Sequence, residues 1–357
     1  MSARLGKQKN LVLILLAVIA AQFVGLAALL LSGGGAQSTE TTPSPQEPQA
    51  PAEEEAPAEE AMPAWLAPAP QREKEPPAGE LTAPEILSDA QLITHGMGAV
   101  GGETVLNCLE GFLAQYEKGV RVFEVDLRMT QDMQVVLRHD WRAGWQEGVS
   151  ETAVPTLEEF LDKPVLGQYT PLSFRDLLLL MEEYPDVCII TDSKFIEAEI
   201  IQLQFEAMLR DARELGLSYL FGRMIIQVYS QLTYQIIDSI HHFPYYIYTL
   251  YAEGFARTEE AFRETASFCA DSGILGITLW DYWWREEYAP IAQEYGVTSY
   301  THTVNDAAEA LALLESGVSA VYTDLLVPGD LQPEAGDTST EQEGEISDGI
   351  DGEDTVQ

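Results

Sequence analysis

Short apolar runs rich in β-branched residues recur through residues 81–328, with stretches of helical periodicity between them. Eight of these runs predict strands: Leu92–His95, Val122–Leu127, Val187–Asp192, Met224–Tyr229, Tyr245–Leu250, Leu275–Trp280, Thr298–Thr303 and Ala320–Asp324. Helical patterns over Glu103–Tyr116, Phe174–Glu183, Glu197–Leu215, Gln231–Ile240, Thr258–Asp271 and Asn305–Glu315 separate most of them. Alternation of strand and helix is the pattern of a parallel sheet. Eight such repeats in roughly 250 residues predict an α/β fold closed into a (β/α)8 TIM barrel, for which that length is usual.

A ninth run, Gln134–His139, breaks the alternation. Only Thr130-Gln131-Asp132-Met133 and their immediate neighbours connect it to the second strand, and a parallel crossover needs about a dozen residues. The chain from Val122 to His139 is therefore expected to form a hairpin at the barrel mouth. Its pairing would set His139 roughly opposite Val125, close to Glu124 and Asp126.

The rest of the 357 residues is of other kinds. Residues 11–31 are almost wholly apolar, broken only by Gln22, and match the roughly 20 residues a membrane-crossing helix needs. Arg4, Lys7 and Lys9 precede them, so the positive-inside rule puts residues 1–10 in the cytoplasm and the barrel outside. A cleaved signal peptide is the rival reading, although its apolar core is usually only about 7–15 residues. Residues 32–80 are rich in Pro, Ala and Glu and read as a disordered stalk; residues 329–357 read as a disordered acidic tail. The expected location is thus the cell membrane, single-pass, with an extracytoplasmic barrel.

Stalk and tail carry a good share of the net charge of −39. No basic footprint for nucleic acid exists, so no nucleic-acid partner is expected. An acidic surface repels anions, so chemistry on a phosphate would want a bound cation. Cys108, Cys188 and Cys269 sit in apolar contexts without zinc-type spacing and read as buried free thiols.

Candidate chemistry gathers at predicted strand ends, where barrel enzymes keep their sites. Glu124 and Asp126 stand at i, i+2 on one strand and share a face. Two acids turned into a barrel need a partner, and a hard divalent cation suits oxygen ligands; a surface salt-bridge pair would show the same spacing. His95 closes the first strand and His139 the hairpin, which suits an acid/base pair. Asp192 and Lys194 end the third barrel strand, Asp192 as a further metal ligand and Lys194 as a point charge for phosphate, or the two as a salt bridge. Asn107, Gln227, His302 and Asn305 lie at or beyond strand ends and are candidates for the mouth. Trp280, Trp283 and Trp284 would form an apolar rim or pack the loop that carries them.

Together these pieces resemble the glycerophosphodiester phosphodiesterase family. The stretches ITHGMG, GGETVLNCLEGF, VFEVDLRMTQDM and VVLRHDW follow the family's His-Arg-Gly, Pro-Glu-Asn-Thr, Glu-x-Asp with Thr-x-Asp-Gly, and His-Asp segments in order. IITDSK looks like its Glu-Ile-Lys strand, THTVND its Trp-Thr-Val-Asn segment and GVSAVYTD its Thr-Asp ending. The likeness covers nearly all of residues 92–324. It implies His95 and His139 as the acid/base pair, Glu124, Asp126 and Asp192 as ligands of one Ca²⁺ or Mg²⁺, and Lys194 beside them. The implied reaction cleaves a phosphodiester small molecule or lipid headgroup, releasing an alcohol and glycerol 3-phosphate. The chain departs from the pattern where Gly96 stands for the family's arginine, Asp192 for glutamate and His302 for tryptophan. Two other readings of the same residues are a phospholipase of the C or D type and a tethered, non-catalytic binding barrel.

Overall fold

Nine strands form one sheet that closes on itself. The computed structural model describes residues 72–141, 153–195, 197–251 and 254–332. Residues 1–71 and 333–357, with the expected anchor at 11–31 and most of the expected stalk and tail, lie outside the described residues. Among the described residues, no helix is long and apolar enough to cross a membrane.

The strands are β1 (Leu92–Thr94), β2 (Val122–Met129), β3 (Val135–Leu137), β4 (Cys188–Ser193), β5 (Met224–Val228), β6 (Tyr246–Thr249), β7 (Gly276–Trp280), β8 (Thr298–His302) and β9 (Ala320–Thr323). All pair in parallel except β3, and pairing of β1 with both β9 and β2 closes the eight-stranded barrel. The hairpin is antiparallel, with Leu127 opposite Leu137 and Arg128 opposite Val136. The backbone N–H of Arg138 donates to the carbonyl of Asp126 at 2.9 Å, so the pairing extends towards His139 in the expected register.

The helices are α1 (Ala83–Ser88), α2 (Leu109–Glu117), α3 (Leu157–Leu161), α4 (Phe174–Glu183), α5 (Ala198–Leu215), α6 (Gln231–Ile240), α7 (Glu259–Ser272), α8 (Tyr288–Tyr295) and α9 (Ala307–Glu315). Strand periodicity of two sorts their contacts. Phe123, Val125 and Leu127 of β2 join the layer between strands and helices. Val122, Ile190, Ile225, Ile247 and Tyr322 fill the barrel interior, where Ala83, Ile86 and Leu87 of α1 pack on them as a plug. The three cysteines are buried and free.

One helix departs from its sequence pattern. The expected start at Glu103 moves to Leu109, because Val105 and Asn107 take positive φ of 56° and 51° and cannot continue a helix. Residues 103–108 instead form a loop over the barrel mouth, and the Cys108 sulfur caps α2 by accepting from Gly111 N–H.

The domain also takes in residues before the expected boundary at Leu81. Lys74 N–H donates to Gly216 O at 2.8 Å, and Glu73 accepts from the Ser218 hydroxyl at 2.7 Å. Glu80 pairs with Arg223 at 2.5 Å. The Arg223 guanidinium is almost wholly buried and donates as well to the carbonyls of Met181, Tyr184 and Val187 at the end of α4. Every arm of that guanidinium has an oxygen partner, so it ties residue 80, α4 and β5 together. Removing it leaves a part-buried carboxylate and several carbonyls without a donor, a change that costs about 3–5 kcal/mol. Arg223→Met is therefore expected to lower unfolding stability by that amount in urea titration; an unchanged midpoint would contradict the assignment.

Candidate active site

Inward-facing positions of the barrel change from apolar to polar towards the C-terminal ends of the strands. On β2 the series runs Val122, Glu124, Asp126, and both acids are buried. The β2–β4 register sets Asp126 beside Asp192 on the neighbouring strand. Two buried carboxylates so placed repel each other unless a cation stands between them. Lys194 supplies one: its Nζ lies 2.6 Å from Asp126 Oδ1 and also pairs with Asp192 Oδ2. The Tyr229 hydroxyl donates to Asp192 Oδ1. Asn107 clasps Asp126 from the loop, donating from Nδ2 to Oδ2 at 2.7 Å and accepting the Asp126 N–H at 2.9 Å.

His95 follows β1 directly. Its Nδ1 lies 2.7 Å from Asp324 Oδ1, and its Nε2 lies 3.9 Å from Glu124 Oε2. Asn305 fixes Asp324 in turn, donating to Oδ2 at 2.8 Å and accepting the Asp324 N–H. The His302 ring stands edge-on to His95 with centroids 4.7 Å apart. Glu124 also accepts the Gly96 N–H at 2.7 Å. There φ is +52°, and a Cβ would meet Val105 Cα at 2.6 Å, so position 96 has no room for a side chain.

His139 is half exposed, its Nδ1 3.1 Å from Asp140 Oδ2. It lines a cavity of about 320 Å³ together with His95, Glu103, Arg138 and Asp140. The two imidazoles thus face one space at the C-terminal rim.

Electrostatics divide these groups into charged and neutral ones. Burial opposes protonation of His95, but the Asp324 hydrogen bond and the charges of Glu124 and Asp126 outweigh it and raise its pKa to about 9. Burial and the charges of His95 and Lys194 press His302 down to about 3, which keeps it neutral. Burial pulls against the charge on Lys194, yet Asp192, Asp126 and Glu124 hold its pKa above the ordinary lysine value. Glu124 is pushed above the usual carboxylate range by burial, then by Asp126 and Asp192.

That last shift has a plain cause. Glu124, Asp126 and Asp192 are three carboxylates facing the Lys194 ammonium and the His95 imidazolium, which leaves one negative charge when all are ionised. His95, Glu124 and Asp126 each offer an atom within 4.8 Å of the others. An oxygen-dominated set with a surplus of negative charge fits a hard divalent cation. Asp192 is not in that tight group; it meets Lys194 and Tyr229, while Asp126, within the group, meets Lys194 and Asn107.

The other sequence candidates occupy supporting positions. Both polar atoms of Asn107 are engaged by Asp126. Gln227 is buried below the mouth, donating to the Tyr229 hydroxyl at 2.8 Å. Trp284 donates to Ser316 at 2.7 Å and Trp283 packs by Phe255, while Trp280 lies 5.6 Å from His302. Asp324, Tyr229 and Arg138 were not singled out from the sequence. Asp324 and Tyr229 were legible as polar residues ending predicted strands, the same signal that marked His95.

In cation-free protein, the ordinary histidine value of 6.5 and the folded-state value of about 9 define a pH window. The stabilisation from protonated His95 is complete below 6.5 and is lost as pH rises through about 9. An NMR titration in the presence of chelator should place the His95 midpoint near 9, and Asp324→Asn should return it towards 6.5. A midpoint unmoved by that substitution would contradict the role given to Asp324.

No family model and no curated protein matches the sequence. Solved structures do match. A Silicibacter pomeroyi protein, named provisionally as a glycerophosphoryl diester phosphodiesterase, superposes with a TM-score of 0.56 at 21% identity, over 68% of this chain and 92% of its own. A glycerophosphodiester phosphodiesterase from Parabacteroides distasonis gives 0.53 at 16% identity, over 66% and 92%. An Oleispira antarctica phosphodiesterase, solved with its product sn-glycerol 3-phosphate, gives 0.51 at 14% identity, over 66% and 92%. This chain carries the barrel fold that those proteins share.

Proposed function

We propose that the chain is a metal-dependent phosphodiesterase, hydrolysing glycerophosphodiesters or a related envelope or lipid phosphodiester to an alcohol and glycerol 3-phosphate. The observation that carries this reading is the joint placement of His95 and His139 on one cavity, beside buried acids with a surplus of negative charge. The fold shared with the product-bound Oleispira antarctica protein supports the substrate class.

Glu124 and Asp126 would hold the cation, Ca²⁺ or Mg²⁺, which supplies charge stabilisation to the phosphoryl oxygens. Lys194 would keep Asp126 ionised and hold Asp192 in place, with Asn107 setting the orientation of Asp126. His95, oriented through Nδ1 by Asp324, would donate through Nε2 to the leaving alcohol oxygen as its bond to phosphorus breaks. His139 would take the proton from the attacking water as its oxygen bonds to phosphorus. Neutral His302 closes one side of the His95 ring against a second positive charge. The membrane anchor at 11–31 and an extracytoplasmic barrel complete the proposal on the strength of the sequence pattern alone.

Turnover of glycerophosphocholine and bis(p-nitrophenyl) phosphate should require Ca²⁺ or Mg²⁺ and stop with EDTA. His95→Ala and His139→Ala should each lower kcat by about 10²–10⁴-fold, the usual contribution of a positioned acid or base. Glu124→Ala should raise the metal concentration needed for half-activation. Full activity in EDTA, or in either histidine variant, would refute the corresponding role; no turnover with any metal would refute the enzyme.

A further inference from the structure

Arg138 is a buried cation that the roles assigned above do not use. It stands next to His139 on the hairpin, one pair beyond Leu127–Leu137, and is only 4% exposed. Its Nε donates to the Asp140 carbonyl at 2.8 Å. Among the described residues, Nη1 and Nη2 have no hydrogen-bond or ion-pair partner. The side chain lines the same cavity as His95 and His139.

A guanidinium stays charged at any working pH, and leaving one buried without an anion is costly. This protein shows how it treats a structural arginine: Arg223 has acceptors on Nε, Nη1 and Nη2 alike. Arg138 has one on Nε alone. Burial depresses its pKa, and the charges of Asp140, then Asp126 and Cys108, oppose that without cancelling it. Neither carboxylate pairs with the terminal nitrogens. The opposite wall supplies no cationic side chain at position 96, where Val105 closes on Gly96. No carboxylate among the described residues meets this fork, which leaves it open to an anion from solution.

We propose that Arg138 is the phosphate-binding residue of this cavity, its Nη1 and Nη2 donating in parallel to two non-bridging oxygens of a phosphodiester or phosphomonoester. A planar fork matches two oxygens of one phosphorus, which a lysine cannot do. Held there by its Nε bond to Asp140, the guanidinium sets the phosphoryl group between the two imidazoles. The inference rests on the phosphodiesterase reading for its substrate class, but the binding step stands apart from turnover.

The test is calorimetric titration of inorganic phosphate and of sn-glycerol 3-phosphate into the full-length protein, parent and variants, with urea stability measured alongside. Arg138→Gln should weaken both ligands by about 10- to 100-fold, the range for losing hydrogen bonds to a charged group. Arg138→Lys should recover part of that loss. On a glycerophosphodiester, KM should rise more than kcat falls. A merely structural arginine would lower the urea midpoint and leave the phosphate affinity of the folded protein unchanged. Should Arg138→Gln fail to fold, a crystal structure of the parent with phosphate decides, with Nη–oxygen distances of about 2.7–2.9 Å expected. Parent-like affinity in both variants, phosphate bound elsewhere, or no phosphate binding by the parent overturns the inference. Phosphate held through Arg138 without any diester turnover would instead leave the inference standing and remove the enzyme reading.

Discussion

The Lys194 ammonium, held between Asp126 and Asp192, is the interaction on which the rest of the site depends. Parallel pairing of β2 with β4 forces these carboxylates side by side in a buried layer, where their like charges call for a counter-charge. Lys194 provides one positive charge against three carboxylates once Glu124 is included. The barrel therefore carries a standing deficit of positive charge at its C-terminal rim. That deficit keeps His95 protonated together with Asp324, and it makes a hard divalent cation a natural partner for Glu124 and Asp126.

Around this charge the molecule separates two jobs. The N-terminal half of the barrel interior is apolar and plugged by α1. Polar groups begin one strand layer higher, and each is fixed by a partner from another element: Asn107 on Asp126, Tyr229 on Asp192, Asn305 on Asp324. The groups left facing the cavity, His95, His139 and Arg138, are those able to move a proton or meet an anion.

Much of the architecture was legible in the sequence. All eight barrel strands and the antiparallel hairpin fall where apolar runs placed them, because buried parallel strands are written as β-branched runs and the short link excluded a crossover. The i, i+2 spacing put Glu124 and Asp126 on one face. What escaped were features set by tertiary context. The late start of α2 depends on positive φ at Val105 and Asn107, which no local pattern announces in non-glycine residues. Asp324 meets His95 across 229 positions of chain, through closure of the barrel. Tyr229 meets Asp192 from the neighbouring strand end, a contact set by the barrel and not by local sequence. Arg138 read as one more strand residue until the hairpin register set it beside the site.

The central claim is that the charge deficit at the rim is a cation site. The most direct measurement is a crystal structure soaked in Mn²⁺, with the ion located by its anomalous scattering. The account predicts one strong peak within about 2.0–2.6 Å of carboxylate oxygens of both Glu124 and Asp126, the range for hard divalent ions. An ion bound away from these two residues, or no peak at millimolar Mn²⁺, would contradict it.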